Sequence, residues 1–266
     1  DDLEASARLA GDRRLAGMAR WLEPKVLRHA GRVFAISPGY CEHLQMKYGI
    51  RARWLPISIP QDQIQYRTYQ PATPDIREIV FLGAVNPLYL APIKELLQTI
   101  EQWNGAANSC QLRLTLLTYT DPAWLNRELG GSSNVEILFR WSDAKRRERL
   151  GRSWAVFLPY AFEAEQRIMV STSFPSKLAE SLHAGRPLLV YGPAHASLPR
   201  YFRENDLPVC ATSPAQLMAA LQNLERHDTV RLIERYQAVL QRYHRPVATR
   251  HILRMAHDEG DTLAAR

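Results

Sequence analysis

The chain has little cysteine. Cys41, Cys110 and Cys210 are its only three in 266 residues, and they lie far apart. That spacing excludes a disulfide framework or a cysteine-rich zinc site and points to a reducing, cytoplasmic setting. The eight histidines are scattered, and no pair has metal-ligand spacing. No metal and no bound cofactor is therefore expected. No apolar run approaches the roughly 18 residues needed to span a bilayer, and no secretory leader is visible. The sequence holds no recognisable Ser-His-Asp or Cys-His arrangement, no GxGxxG fingerprint, and no internal repeat. What is present is a foldable composition, 46% hydrophobic and 23% charged. It suits one large or two small domains.

The net charge is +7. A basic balance suits nucleic acid, acidic lipid or phosphorylated substrates. The charge concentrates at 140 to 152, where Arg140, Lys145, Arg146, Arg147, Arg149 and Arg152 meet only Asp143 and Glu148. Such a run reads either as a solvated helix face or as a membrane or nucleic-acid surface. A nucleic-acid site would want interleaved aromatics, and only Trp141 and Trp154 are near.

Residues 3 to 30 carry apolar side chains at helical spacing, weakened by Gly11 and Pro24, with a kink or restart expected at Pro24. Val33–Ile36 reads as a strand, Ser37-Pro38-Gly39 opens a helix through Tyr48, and Arg53–Ile57 reads as a second strand. Residues 60 to 77 hold three prolines and no apolar period, which suits a linker. Ile79–Leu82 is a buried strand, followed by Gly83 and a helix from about Leu90. Strands are also expected at 112–117, 135–139, 155–159 and 188–191, with an edge strand at 207–210. Helices are expected after Asp121, over 143–152, after Pro214 and over 229–257. Residues 160 to 172 read as a polar loop. Strands of near-continuous apolar character alternating with helices predict an α/β, doubly wound parallel sheet.

One stretch stands apart, Ser-Phe-Pro-Ser-Lys-Leu-Ala-Glu-Ser-Leu-His-Ala-Gly-Arg-Pro at 173–187. Pro175 suits a first helical turn, Ser173 or Ser176 suits a cap, and Gly185 with Pro187 ends the helix. Leu178 and Leu182 face a core, while Lys177, Glu180 and Ala184 lie on another side. A helix opening from a loop offers unpaired N–H groups to an anion. A carboxylate one turn in can accept two hydroxyl hydrogen bonds from a sugar ring. The plainer alternative is that Glu180 only favours the helix dipole and Lys177 is solvated. His183 reads as a satisfied structural histidine.

The stretch Phe-Pro-Ser-Lys-Leu-Ala-Glu-x-Leu-x-Ala-Gly-Arg-Pro resembles the donor-site signature of GT-B glycosyltransferases similar to family four. The resemblance implies that Glu180 is the second Glu of that family's Glu-seven-residues-Glu pattern, the one that binds the ribose of a nucleotide sugar. The first Glu, which touches the transferred sugar, has Thr172 in its place. The resemblance also implies that the loop at Gly83 and Asn86 lies beside the donor diphosphate. The basic residues usual after that Gly are not plainly present, and Lys94 stands a full helix turn on. The resemblance further places the loop after strand 135–139 against the nucleobase, where Trp141 either stacks or belongs to the core.

On the resemblance, residues 1–60 are the end of an acceptor domain, 61–77 a linker, 78–228 the donor-binding domain and 229–266 a C-terminal helix packing back on the acceptor part. The chain begins Asp1-Asp2, and the resemblance implies a fragment. The implied function is transfer of a sugar from a nucleotide-diphosphate sugar to an acceptor hydroxyl, retaining and metal-independent. Phe174, Pro175, Ser176, Lys177, Glu180, Gly83, Asn86 and Trp141 would hold the donor, with no catalytic residue named. The expected acceptor is a saccharide or lipid-linked saccharide, at the cytoplasmic face of a membrane whose anionic lipid it contacts, without nucleic acid. The alternatives are a non-catalytic nucleotide-binding or scaffold protein, a GT-B sugar epimerase, or a basic nucleic-acid binder.

Overall fold

The computed structural model describes residues 2–58, 75–106, 110–208, 210–224 and 229–244. Most of the expected linker, and the part of the expected 229–257 helix beyond 244 with its Pro246, lie outside those residues.

The first helical stretch is two helices, not one kinked at Pro24. α1 (Leu3–Leu9) stops before Gly11, whose φ of 75° favours glycine. α2 (Arg13–His29) restarts on Asp12, whose carboxylate accepts the Leu15 N–H at 2.9 Å. Pro24 lies inside α2 without breaking it. β1 (Val33–Ala35) and β2 (Ala52–Trp54) pair in parallel around α3 (Pro38–Tyr48). Ser37 caps the start of α3, and left-handed Gly49 closes its end.

The remaining described chain alternates strand and helix. β3 (Ile76–Leu82) leads to α4 (Pro87–Gly105), β4 (Gln111–Thr118) to α5 (Pro122–Glu128), and β5 (Val135–Phe139) to α6 (Asp143–Arg152). After β6 (Ala155–Pro159) come a 3₁₀ turn (Ala164–Gln166), α7 (Arg167–Thr172) and α8 (Leu178–His183). Next are β7 (Leu188–Tyr191), α9 (Ser197–Glu204), the short edge strand β8 (Cys210–Ala211), α10 (Leu217–Leu224) and α11 (Thr229–Tyr243). Two expectations need correction. α4 begins three residues before Leu90, because Asn86 caps it and Pro87 fits its first turn. The segment 160–172 is not all loop: its second half is helical, and Met169 and Val170 are buried.

The strands form one six-stranded parallel sheet in the order β5-β4-β3-β6-β7-β8. The pleat sends alternate residues to opposite faces. Val80, Leu82, Val156, Leu158, Leu188 and Val190 join the core under α8, α9 and α11. Ile79, Phe81, Ala155, Phe157, Leu189 and Tyr191 join the core under α4 and α10. Both faces are covered, which is why these strands read as unbroken apolar runs. The doubly wound parallel sheet is as expected. Its order reverses between β3 and β6, and the space outside the carboxyl ends at such a switch point is the usual ligand crevice of these sheets.

The first 58 residues are fastened to this sheet domain near that crevice. Ser37 Oγ donates to the Thr172 carbonyl at 2.6 Å. A Cβ on Gly39 would stand 2.1 Å from the Ser171 carbonyl oxygen, so only glycine lets α3 meet α7. Arg200 of α9 forks onto Glu42 of α3 at 2.8 and 2.9 Å. After α11, His244 donates from Nδ1 to the Ile57 carbonyl and accepts from the Tyr201 hydroxyl. Tyr243 packs on Trp54 with ring centroids 5.0 Å apart.

Candidate functional site

Gly83 follows β3 at φ 131°, a conformation that side chains rarely adopt. A Cβ there would meet nothing within 4 Å, so the backbone borders open space. The loop is pinned by Thr120, whose hydroxyl accepts from Val85 N–H at 2.8 Å. Asn86 spends its carbonyl oxygen capping Leu88 N–H at 2.9 Å. Lys94 points away and pairs with Glu128 of α5 at 2.9 Å. It is therefore no substitute for a cation beside Gly83.

The 173–187 stretch packs as its spacing predicts on the inner side, with Leu178 and Leu182 buried. Phe174 is buried too, edge-on to Tyr201 with centroids 5.2 Å apart, so its ring serves the core and not the crevice. The expected serine cap is absent: Lys177 occupies the cap position of α8 with no side-chain bond. Ser173 instead gives its carbonyl to two hydroxyls, those of Tyr160 at 3.0 Å and Ser197. Pro175 offers its carbonyl to Leu178 N–H at 3.0 Å, which tightens the turn. Ser176 is exposed and Lys177 half-buried, and among the described residues neither backbone N–H has a protein acceptor. Thr172 is buried, and its hydroxyl bonds back to the Ile168 carbonyl at 2.8 Å. It does not reach the crevice.

Glu180 is not a free carboxylate. Arg146 of α6 brings its Nε to 2.6 Å from Glu180 Oε1, with both side chains about one-fifth exposed. The basic run is largely occupied in this way. Arg146 also meets Asp143, Arg149 bridges Glu78 and Glu136, and Lys145 and Arg152 both meet Glu148. Arg140 and Arg147, also of this run, are exposed.

Beyond the ends of β4 and β5, Trp141 lies against Tyr119 with centroids 4.3 Å apart and planes tilted 33°. Tyr119 is 60% exposed. Trp141 is partly buried and also packs against the core. Arg140, just before Trp141, is a non-glycine residue at φ 54°. That left-handed backbone costs about 1–2 kcal/mol.

Buried polar atoms without a hydrogen-bond partner mark where a ligand or water belongs. Seven side chains have one among the described residues. In chain order Trp141 Nε1, Gln166 Oε1, Ser173 Oγ and His195 Nε2 come after the carboxyl ends of strands, as does Arg146 Nε, which lies against Glu180 Oε1. Gln166 is oriented by its own donation to the Pro87 carbonyl at 3.2 Å. His195 is kept neutral-leaning by burial and by the Arg167 charge. The other two, His183 Nδ1 and Arg186 Nε, lie toward the opposite end of β7. His183 is therefore structural but not satisfied at both nitrogens. Burial, helped by the charge of His244, lowers its pKa to about 4.

No family model matches the sequence, and no curated protein matches it. Solved structures do. The sucrose-phosphate synthase of Thermosynechococcus elongatus aligns at 15% identity and TM-score 0.67, over 97% of this chain and 65% of that one. WaaG, a glycosyltransferase of lipopolysaccharide biosynthesis, aligns at 15% and 0.52, over 78% and 57%. S. aureus TarM, solved with UDP, aligns at 9% and 0.59, over 89% and 45%. The fold is that of the GT-B glycosyltransferases. The chain spans 45% to 65% of the length of these three. Sequence reasoning missed Arg146, Gln166 and Tyr119. Only Tyr119 left a signal, an aromatic directly after an apolar strand. Among the described residues no three metal-binding side chains converge, and no helix is long and apolar enough to cross a membrane.

Proposed function

We propose that the chain belongs to a glycosyltransferase that moves a sugar from a nucleotide-diphosphate sugar to an acceptor hydroxyl, with retention and without a metal. One observation supports this most: Glu180 keeps Oε2 open one turn after Ser176 and Lys177, whose backbone N–H groups have no acceptor among the described residues. Glu180 would accept the ribose hydroxyls. The N–H groups of Ser176 and Lys177 and the Lys177 ammonium would face the diphosphate, whose departing charge they offset. Gly83 would let backbone approach the phosphates, and Asn86 would donate from its side-chain NH2. Trp141 would flank the base. Phe174 and Pro175 would shape the turn without touching ligand. The acceptor, a saccharide or lipid-linked saccharide at the inner face of a membrane, would enter from the side of α3.

A second reading is a nucleotide-binding protein without transfer activity. Thr172 turned into its own helix and Lys94 held by Glu128 favour it, because they remove two groups that would attend the sugar and the diphosphate. Calorimetric titration with UDP and GDP, beside Glu180→Ala, tests the shared part. Binding that the variant weakens supports the donor site. A folded wild type that binds neither nucleotide overturns it. Release of UDP or GDP from a nucleotide-sugar panel separates the two readings.

A further inference from the structure

Arg146 lies four residues after the Ser142 cap of α6 and ends against α8. Its Nε stands 2.6 Å from Glu180 Oε1, and its Nη1 stands 3.0 Å from Asp143 Oδ1. The two acids differ: the Glu180 side chain is 19% exposed and that of Asp143 is 71%. Arg146 Nε is shut from solvent and makes no well-aligned hydrogen bond, so its hold on Glu180 is an ion pair at contact distance. Glu180 Oε2 accepts no hydrogen bond from any described residue.

A carboxylate at the end of a glutamate rotates in a broad, roughly two-fold well. A ribose diol offers two adjacent O–H donors, and one carboxylate accepts both only when its plane is turned to the ring. A guanidinium in contact with Oε1 restricts that rotation and leaves Oε2 open. It also offsets the negative charge of Glu180, which would otherwise repel a nearby diphosphate.

We propose that Arg146 is the positioning residue for Glu180, and that the pair makes the site select a ribonucleotide over its 2′-deoxy counterpart. This rests on the nucleotide reading of the crevice. If Arg146 only braced α6 against α8, its loss would weaken every nucleotide alike. If it positions Glu180, its loss removes the preference for the 2′-hydroxyl.

The test is calorimetric titration of the full chain with UDP, 2′-deoxy-UDP, GDP and 2′-deoxy-GDP, for wild type and Arg146→Ala. Wild type is expected to prefer the ribo form of the nucleotide it binds by about tenfold, typical of one hydrogen bond to a charged acceptor. Arg146→Ala is expected to bring that ratio to within about twofold. If the alanine variant melts, Arg146→Gln, which fills the space without the charge, reads the same ratio. A variant that binds both forms less tightly at an unchanged ratio overturns the proposal, as does a wild type that binds without preference. A folded wild type that binds none of the four overturns the nucleotide reading itself, and this inference with it.

Discussion

Glu78 and Glu180 both pair with arginines of α6, three residues apart, yet they sit in opposite circumstances. Glu78, on β3, is 9% exposed and accepts from Thr115 Oγ1 at 2.5 Å and Arg149 Nη1 at 2.7 Å, while Arg149 also spans Glu136 at 2.9 and 3.2 Å. Each group there has its partner inside the protein. Glu180, on α8, has a single ion pair and an unused oxygen at the border of the crevice. The same chemistry, arginine on glutamate, is a closed brace in one place and an unfinished site in the other. What distinguishes them is saturation, because a carboxylate with all its partners has nothing left for a ligand.

Breaking the closed pair should produce the largest effect. Arg149→Ala would leave Glu78 and Glu136 without their cation, next to a buried strand. Removing one partner of a buried pair typically costs about 3–5 kcal/mol. Because Arg149 is one-fifth exposed, about 2–4 kcal/mol of unfolding free energy is expected here, discounted for solvent screening. Urea denaturation would measure it. Nucleotide affinity of the folded fraction should stay the same, and a matching loss of affinity would mean that the two pairs are one network.

The open pair should fail in the opposite way. Glu180→Ala is expected to weaken nucleotide binding by roughly 1.5–3 kcal/mol, as for hydrogen bonds to a charged group. Its unfolding midpoint should hardly move. Unchanged affinity in a folded variant would remove Glu180 from the site.

The contrast also explains what was legible in advance. The sheet could be read because each strand is covered on both faces and is apolar throughout, as at Ala155–Pro159. The 173–187 turn and helix could be read because Pro175, Gly185 and Pro187 act locally. The Arg146–Glu180 pair could not, since it joins residues 34 apart in sequence on separate helices, and nothing in a run of basic residues singles out Arg146. Asn86 was read as a phosphate donor, and its second task, capping α4 through Oδ1, went unread. The helix at Arg167–Thr172 escaped because two buried residues, Met169 and Val170, are too few to show a period. Gly39 looked like part of a turn, whereas its need comes from Ser171, far off in the sequence.

Within α8 the comparison can be sharpened by pH. Glu180 faces the crevice, while His183, three residues on, is 7% exposed and has its pKa lowered to about 4. The unfolded imidazole titrates near 6.5, so below that value the unfolded chain binds a proton that the folded chain refuses. Stability contributed by the neutral His183 is therefore complete above pH 6.5 and is lost as pH falls toward 4. A decline on the order of 1–2 kcal/mol over that window is expected from this group. His183→Gln should flatten that part of the stability curve without altering nucleotide affinity at pH 7. An unchanged slope would place the acid sensitivity elsewhere.

The third arginine of α6 sets the lower limit. Arg152 reaches Glu148 at 3.0 Å one helix turn back, with side chains 54% and 37% exposed. Both ions keep most of their hydration, so little is gained by pairing and little is lost when the pair is broken. Arg152→Ala should change unfolding free energy by no more than about 0.5 kcal/mol and leave nucleotide binding as it was. The three substitutions Arg149→Ala, Arg146→Ala and Arg152→Ala would then separate by readout: stability, ligand selectivity, and neither. If Arg152→Ala instead weakened nucleotide binding as strongly as Glu180→Ala, the effect would belong to the summed positive charge of the helix. Raising the salt concentration would then abolish the difference between the variants, because such a field is screened over about 8 Å at physiological ionic strength. A difference that survives high salt would return the effect to the contact between Arg146 and Glu180.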